Sequence, residues 1–357
     1  MRLTLSMLAL TGLVSARPPA CAPSAGASVR YLGRVNPATK ELSWPGTGVS
    51  FAFTGSSATI GIASVSGTNS VDLVIDDGAP ILISDFTAGT AITTPAGLAN
   101  GTHTVVVRRR SEPAYGSLSL GDITTNGKFV ATAAASKRQI DIIGDSITVG
   151  YGLDGVLPCT NTAALEDNPK TYGVLAANAL GADYSVIAWS GKGLIRNIAS
   201  SGPVDTVLVP QLYNRYGAND ADNSYPFPAS WSPSAVVINL GTNDFSYQGL
   251  RDPINATAFT DGMVQFVHDI QTHYPRAHFF LLSSPMLSDN WPTAEDAQKT
   301  TQTNALKAAV AQLGAQAHFV DWPTQGSDVG CDYHPNAATN AAQGDVLAKA
   351  IADVLGW

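Results

Sequence analysis

The pattern of apolar and polar positions divides the chain in two. From residue 29 to about 130 the apolar residues come in short, partly alternating runs at 49–53, 58–62, 70–75, 103–107 and 116–120. Turn formers such as Thr54-Gly55-Ser56 and Asp76-Asp77-Gly78 separate them, and no helical period intervenes. Strands at this spacing predict an all-β sandwich of jelly-roll type. Residues 131–137 form a connector of small residues, and the texture then changes. Compact apolar runs at 138–143, 183–188, 235–240, 278–283 and 317–321 alternate with helical patterns at 171–180, 258–273, 294–313 and 337–355. That alternation predicts a parallel sheet with crossover helices over 138–357. The chain is therefore expected to be multidomain, all-β followed by α/β.

The N-terminus adds a processing segment. Arg2 supplies a positive charge, residues 3–13 are mostly apolar, and Val14-Ser15-Ala16 resembles a cleavage site. The apolar run is too short to span a bilayer as a helix. Residues 1–16 therefore read as a secretory signal peptide, followed by a flexible Pro/Ala/Ser-rich leader at 17–28. Secretion permits disulfides. Of the three cysteines, Cys21 lies in the leader, whereas Cys159 and Cys331 flank the strongest motifs and are expected to pair. Asn100-Gly101-Thr102 and Asn255-Ala256-Thr257 are N-glycosylation sequons, so Asn100 and Asn255 are expected at the surface. Charged residues make up only 13% of the chain and the net charge is −8, which disfavours nucleic acid and anionic membranes as partners. A monomer is expected.

The candidate chemistry lies at the ends of the second domain's strands. The run 138–143 leads into Gly144-Asp145-Ser146-Ile147-Thr148. A serine on a turn between strand and helix presents its hydroxyl to a cleft beside backbone N–H groups, as acyl transfer needs. Thr148 stands where the G-x-S-x-G elbow of the α/β-hydrolases would have glycine. Trp189-Ser190-Gly191-Lys192 follows the second run, Gly241-Thr242-Asn243-Asp244 the third, and Cys331-Asp332-Tyr333-His334-Pro335 lies in a late loop. Parallel strands gather their carboxyl ends on one edge, so these loops can converge. Ser146 needs a base, and among the six histidines only His334 falls on a loop. The Ser146 and Gly191 N–H groups and the Asn243 amide are the expected oxyanion donors. Trp189, Tyr333 and Trp291 are candidate aromatic walls of a substrate cleft. No His/Asp/Glu cluster has a metal spacing, so neither metal nor other cofactor is expected.

Ser146 in Gly-Asp-Ser, Gly191, Asn243 in Gly-Thr-Asn-Asp and His334 resemble, in order, the four blocks of the SGNH (GDSL-like) hydrolases. The N-terminal sandwich together with Ile-Gly-Asp-Ser-Ile-Thr-Val-Gly-Tyr-Gly and Gly-Cys-Asp-Tyr-His-Pro-Asn is most similar to carbohydrate esterase family 2. The resemblance implies a flavodoxin-like three-layer α/β domain and removal of O-acetyl groups from xylan or related polysaccharides and sugars. It also exposes a departure. Most SGNH hydrolases carry aspartate three residues before the histidine, and here that position is Cys331. Either Asp332 orients His334 through Nδ1, or a backbone carbonyl does and the pair is a Ser–His dyad. Asp328 is the next carboxylate. Two rivals stand beside this reading: an SGNH lipase or aryl-esterase, and an inert carbohydrate-binding protein.

Overall fold

The computed structural model describes residues 29–202, 205–246 and 249–357. The expected signal peptide, leader and Cys21 lie outside the described residues.

The first half is built from ten strands: β1 (Val29–Leu32), β2 (Glu41–Leu42), β3 (Gly48–Gly55), β4 (Ala58–Ser66), β5 (Ser70–Ile75), β6 (Ile81–Ser84), β7 (Ala91–Thr93), β8 (Gly101–Arg109), β9 (Ser117–Thr125) and β10 (Lys128–Val130). They form two antiparallel sheets, ordered β1-β3-β8-β5-β6 and β2-β9-β4-β7. β1 and β10 share one edge of β3: Val29 faces Phe51, and Val130 faces Ala52. In β8 the side chains of Val105, Val107 and Arg109 point inward. With Phe51, Phe53, Ile60, Leu118 and Leu120, the two valines fill the space between the sheets. This alternation is what a two-layer sandwich requires.

The second half begins at β11 (Gln139–Gly144) and continues through β12 (Asp183–Ala188), β13 (Ala235–Asn239), β14 (His278–Leu282) and β15 (Ala317–Val320). All neighbours are parallel, in the order β12-β11-β13-β14-β15. This is the flavodoxin-like arrangement. Every residue of β11 and β13 is buried, because helices cover both faces. The helices are α1 (Ser146–Val149), α2 (Tyr172–Ala179), α3 (Val209–Leu212), α4 (Thr242–Phe245), α5 (Ala256–His273), α6 (Gln298–Leu313) and α7 (Ala337–Leu355). α5 and α6 pack on one face through Phe259, Met263, Phe266 and Leu306, and α2 and α7 on the other through Val174, Leu347 and Ile351. Among the described residues no helix is long and apolar enough to cross a membrane.

The two halves are joined by buried polar contacts. Arg110, just past β8 and 3% exposed, bonds Asp72 at 2.9 Å in its own half. It also bonds Asp167 at 2.8 Å and Asp154 in the other half. Arg34 donates to Tyr213 O at 2.5 Å and lies over the Tyr225 ring at 3.6 Å. These partners fix one half against the sheet edge of the other.

Candidate active site

The loops leaving β11, β12, β13 and β15 meet on one edge of the parallel sheet. At the end of β11, a Cβ on Gly144 would lie 1.9 Å from Thr148 Oγ1, so only glycine allows the chain to turn directly into α1. Asp145 caps that helix, accepting from Ile147 N at 3.1 Å. Ser146 follows at the first helical position. Its Oγ lies 2.8 Å from His334 Nε2.

His334 is held by an unusual turn. Asp332 and Tyr333 both adopt left-handed conformations, at φ 49° and 64°. Non-glycine residues occupy that region at a cost of about 1–2 kcal/mol each. The turn aims the Asp332 carbonyl at His334 Nδ1, which donates to it at 3.1 Å. The Asp332 carboxylate points elsewhere, accepting from Tyr151 OH at 3.0 Å and Asn161 N at 3.2 Å. The side chain of Asp332 is therefore not the group on Nδ1, and the main-chain carbonyl is. Asp328 contacts the same loop only through its carbonyl, which accepts from Asn336 at 3.2 Å. The Tyr151 ring packs on the imidazole with centroids 4.2 Å apart. Burial pulls His334 down to about 4, against the opposing pull of the Asp332 and Cys331 backbone, so the ring is neutral at neutral pH.

Cys159 and Cys331 form a disulfide with Cα atoms 4.7 Å apart. It ties the segment after α1 to the loop carrying His334. Asp332 N donates to Cys159 O at 3.2 Å and Cys331 N to Gly152 O at 3.1 Å, reinforcing the same junction.

The second and third loops bring donors. Gly191 sits at φ +77°, where side chains are strained, and a Cβ there would also approach Ile198 Cγ2 at 3.2 Å. Among the described residues no acceptor engages the N–H of Ser146 or of Gly191. Asn243, at the start of α4, differs. Its amide donates to Lys192 O at 2.7 Å and more weakly to Asp145 at 3.2 Å. Asp244 accepts from the N–H groups of Leu194, Ile195 and Arg196 at 2.7–3.0 Å and so shapes the far half of the Gly191 loop. Burial pushes the Asp145 carboxyl up to about 7, with the nearby Asp244 charge adding to the rise.

Ser146, Gly191, Asn243 and His334 line one cavity of about 820 Å³. Ile198, Met286 and Leu287 make part of its wall apolar, and Trp291 and Tyr333 stand at its mouth, 56% and 67% exposed. Trp189 does not line this cavity. It lies in the adjoining cleft, beside the Lys192 ammonium at 5.3 Å. Sequence reasoning passed over Tyr151, although it stands in the quoted Val-Gly-Tyr-Gly run, and the apolar wall residues, which carry no motif. Asn100 and Asn255 are both exposed, and Asn255 caps α5 through its side-chain oxygen.

Comparison with known proteins places both halves. Residues 31–133 match the carbohydrate esterase 2 N-terminal family, and residues 142–342 match the GDSL-like Lipase/Acylhydrolase family. An acetylxylan esterase / glucomannan deacetylase from Cellvibrio japonicus is 32% identical over 315 residues, covering 84% of this chain and 82% of that protein. The cellulase/esterase CelE from Acetivibrio thermocellus is 31% identical over 92% of this chain, which spans only 40% of that longer protein. A crystal structure of a carbohydrate esterase family 2 enzyme plus carbohydrate-binding domain from Corynascus (Myceliophthora fergusii) is 82% identical. It covers 92% of this chain and 100% of its own, with a TM-score of 0.91. A family two carbohydrate esterase from Clostridium thermocellum, solved with cellohexaose, is 28% identical with a TM-score of 0.82, covering 92% of this chain and 99% of that one. A jelly-roll half, a GDSL-type half and these relatives agree: this chain belongs to carbohydrate esterase family 2 and is a carboxylic ester hydrolase.

Proposed function

We propose that the protein is a secreted serine esterase that removes O-acetyl groups from xylan or a related plant polysaccharide through a Ser146–His334 dyad. The observation that carries this reading is the 2.8 Å contact between Ser146 Oγ and a neutral His334 Nε2, set beside the N–H groups of Ser146 and Gly191. His334 takes the proton as Ser146 attacks the acetyl carbonyl. Its Nδ1 stays hydrogen-bonded to the Asp332 carbonyl, which fixes the tautomer without a carboxylate. The developing oxyanion is received by Ser146 N–H and Gly191 N–H. The Asn243 amide joins them by exchanging its longer, 3.2 Å bond to Asp145 for the oxyanion. His334 then protonates the departing sugar alkoxide, forming the acetyl-enzyme. Water activated by the same imidazole attacks that ester, and acetate leaves.

Secretion is supported by the leader pattern of residues 1–28 and by the disulfide, which an oxidising compartment favours. Trp291 and Tyr333 offer exposed aromatic faces at the cavity mouth, suited to sugar rings. The domain boundary lies in the connector 131–137, glycans would sit on Asn100 and Asn255, and the working unit is a monomer. A second reading has one observation in its favour: Ile198, Met286 and Leu287 would also accept a longer acyl chain.

The test is acetate release from acetylated xylan alongside 4-nitrophenyl esters of increasing chain length. Fast release from xylan, with activity falling steadily beyond acetyl, supports the polysaccharide deacetylase. A maximum at medium or long chains with no release from xylan would favour the lipase or aryl-esterase reading.

A further inference from the structure

The N-terminal half reaches the Gly191 loop of the catalytic edge through the turn after β8. Immediately after β8 the chain makes a turn through Ser111, Glu112 and Pro113 to Gly116. Arg109, fully buried at the end of β8, clasps this turn. Its guanidinium donates to the carbonyls of Ser111 at 2.7 Å, Glu112 at 2.7 Å, Gly116 at 2.6 Å and Leu42. Three carbonyls of the turn held on one planar cation leave the turn little freedom.

The turn projects Glu112 into the other half. Its carboxylate, 2% exposed, accepts from the Ser190 N–H at 2.8 Å. Ser190 immediately precedes Gly191. Behind it, Glu112 N donates to Glu166 Oε2 at 2.6 Å, and Glu166 Oε1 accepts from Asn161 Nδ2 at 2.8 Å. Asn161 in turn accepts from Gly152 N at 2.8 Å and donates its own N–H to Asp332. Two carboxyl groups this deep in the protein cannot both ionise cheaply. Burial raises both, Glu166 the further.

We propose that Glu112 of the jelly-roll half is a positioning residue of the esterase, holding the Ser190–Gly191 peptide so that the Gly191 N–H faces the oxyanion. The far half of that loop is already gathered by Asp244 of the hydrolase half. Glu112 supplies the anchor on the near side. The jelly roll is then part of the catalytic machinery and not only a neighbour to it. The inference rests on the serine-esterase reading above for its effect on rate, but not for its effect on the loop.

The test compares Glu112→Ala, Glu112→Gln and Glu112→Asp with the parent and with Ser146→Ala, using 4-nitrophenyl acetate and amide hydrogen exchange at Ser190. Misplacing one oxyanion donor is expected to lower kcat roughly 10- to 100-fold in Glu112→Ala, with KM within about threefold of the parent. Glu112→Gln keeps an oxygen that can accept from Ser190 and is expected to restore most of kcat. Ser190 exchange should quicken in the alanine variant and not in the glutamine variant. Should the alanine variant not fold, Glu112→Asp, too short to reach Ser190, is expected to show the same kcat loss and faster exchange. Parental kcat with slow exchange in the alanine or aspartate variant would overturn the proposal. So would equal losses in the alanine and glutamine variants. An inactive parent would sink the esterase reading, and the exchange comparison would still decide the role of Glu112 in holding the loop.

Discussion

Asp332→Asn separates the two ways of orienting His334. Were the carboxylate the group on Nδ1, its neutralisation would cost on the order of 10⁴-fold in kcat, as loss of a triad carboxylate does. In this structure Nδ1 donates to the Asp332 carbonyl, which the substitution leaves in place. What changes is the side chain, which accepts from Tyr151 OH and Asn161 N. Asparagine can still accept one or both bonds through Oδ1, and it tolerates the left-handed φ of 49° that this position requires. The change makes two charge-assisted bonds neutral, a loss of about 1–2 kcal/mol in total. In a domain of this size that lowers Tm by roughly 2–8 °C. The histidine also loses a nearby negative charge as it becomes imidazolium, which costs up to about tenfold in kcat. The assay is kcat on 4-nitrophenyl acetate together with a thermal melt. The expected result is less than a tenfold fall in kcat with a visible drop in Tm. A loss of 10³-fold or more, with the fold intact, would refute the carbonyl-oriented dyad.

Further expectations follow from the same geometry. Because only neutral His334 can accept the serine proton, kcat/KM should fall as pH drops through about 4, where burial has placed the imidazole, and not near its ordinary value of 6.5. Asp145, at about 7, is a second titrating group beside the site, so the profile of Asp145→Asn should keep the limb near pH 4. A histidine limb near 6.5 in that variant would contradict the buried base. Cys159→Ser should lower kcat by about tenfold or more, through loosening of the His334 loop, at temperatures where circular dichroism still shows a folded chain. Parental activity in the folded variant would remove the disulfide from the catalytic argument. Gly191→Ala must place a Cβ at positive φ and against Ile198. It should reduce kcat roughly tenfold or more while KM stays nearly constant, and an unchanged kcat would argue against Gly191 as an oxyanion donor.

Much of this was legible in the sequence because strand ends carry the chemistry. The runs that became β11 to β15 are continuous and apolar because helices bury both faces, and that texture announces a parallel sheet. Once the strands are located, Gly144-Asp145-Ser146, Gly191, Asn243 and His334 all fall at carboxyl ends, where a doubly wound sheet binds ligands. The cysteine pair was readable from its flanking motifs. Other features depend on conformations that residue types do not announce. The role of Asp332 turns on two successive left-handed residues, which swing its carbonyl to the histidine and its carboxylate away. α6 begins at Gln298, later than its helical pattern starts, because Ala297 takes up φ 40°. Trp189 precedes Gly191 by two residues yet lines the adjoining cleft and not the catalytic cavity, a placement its residue type does not announce. Glu112 sits in a turn of the other half, over 30 residues before Ser146, and only tertiary packing brings it to Ser190.

The most direct test of the central claim is acetate release by the parent, Ser146→Ala and His334→Ala, each first shown by thermal melt to be folded. The expected result is release from acetylated xylan by the parent and a loss of about 10³-fold or more in both variants. Near-parental release by folded Ser146→Ala or His334→Ala would contradict the Ser146–His334 mechanism.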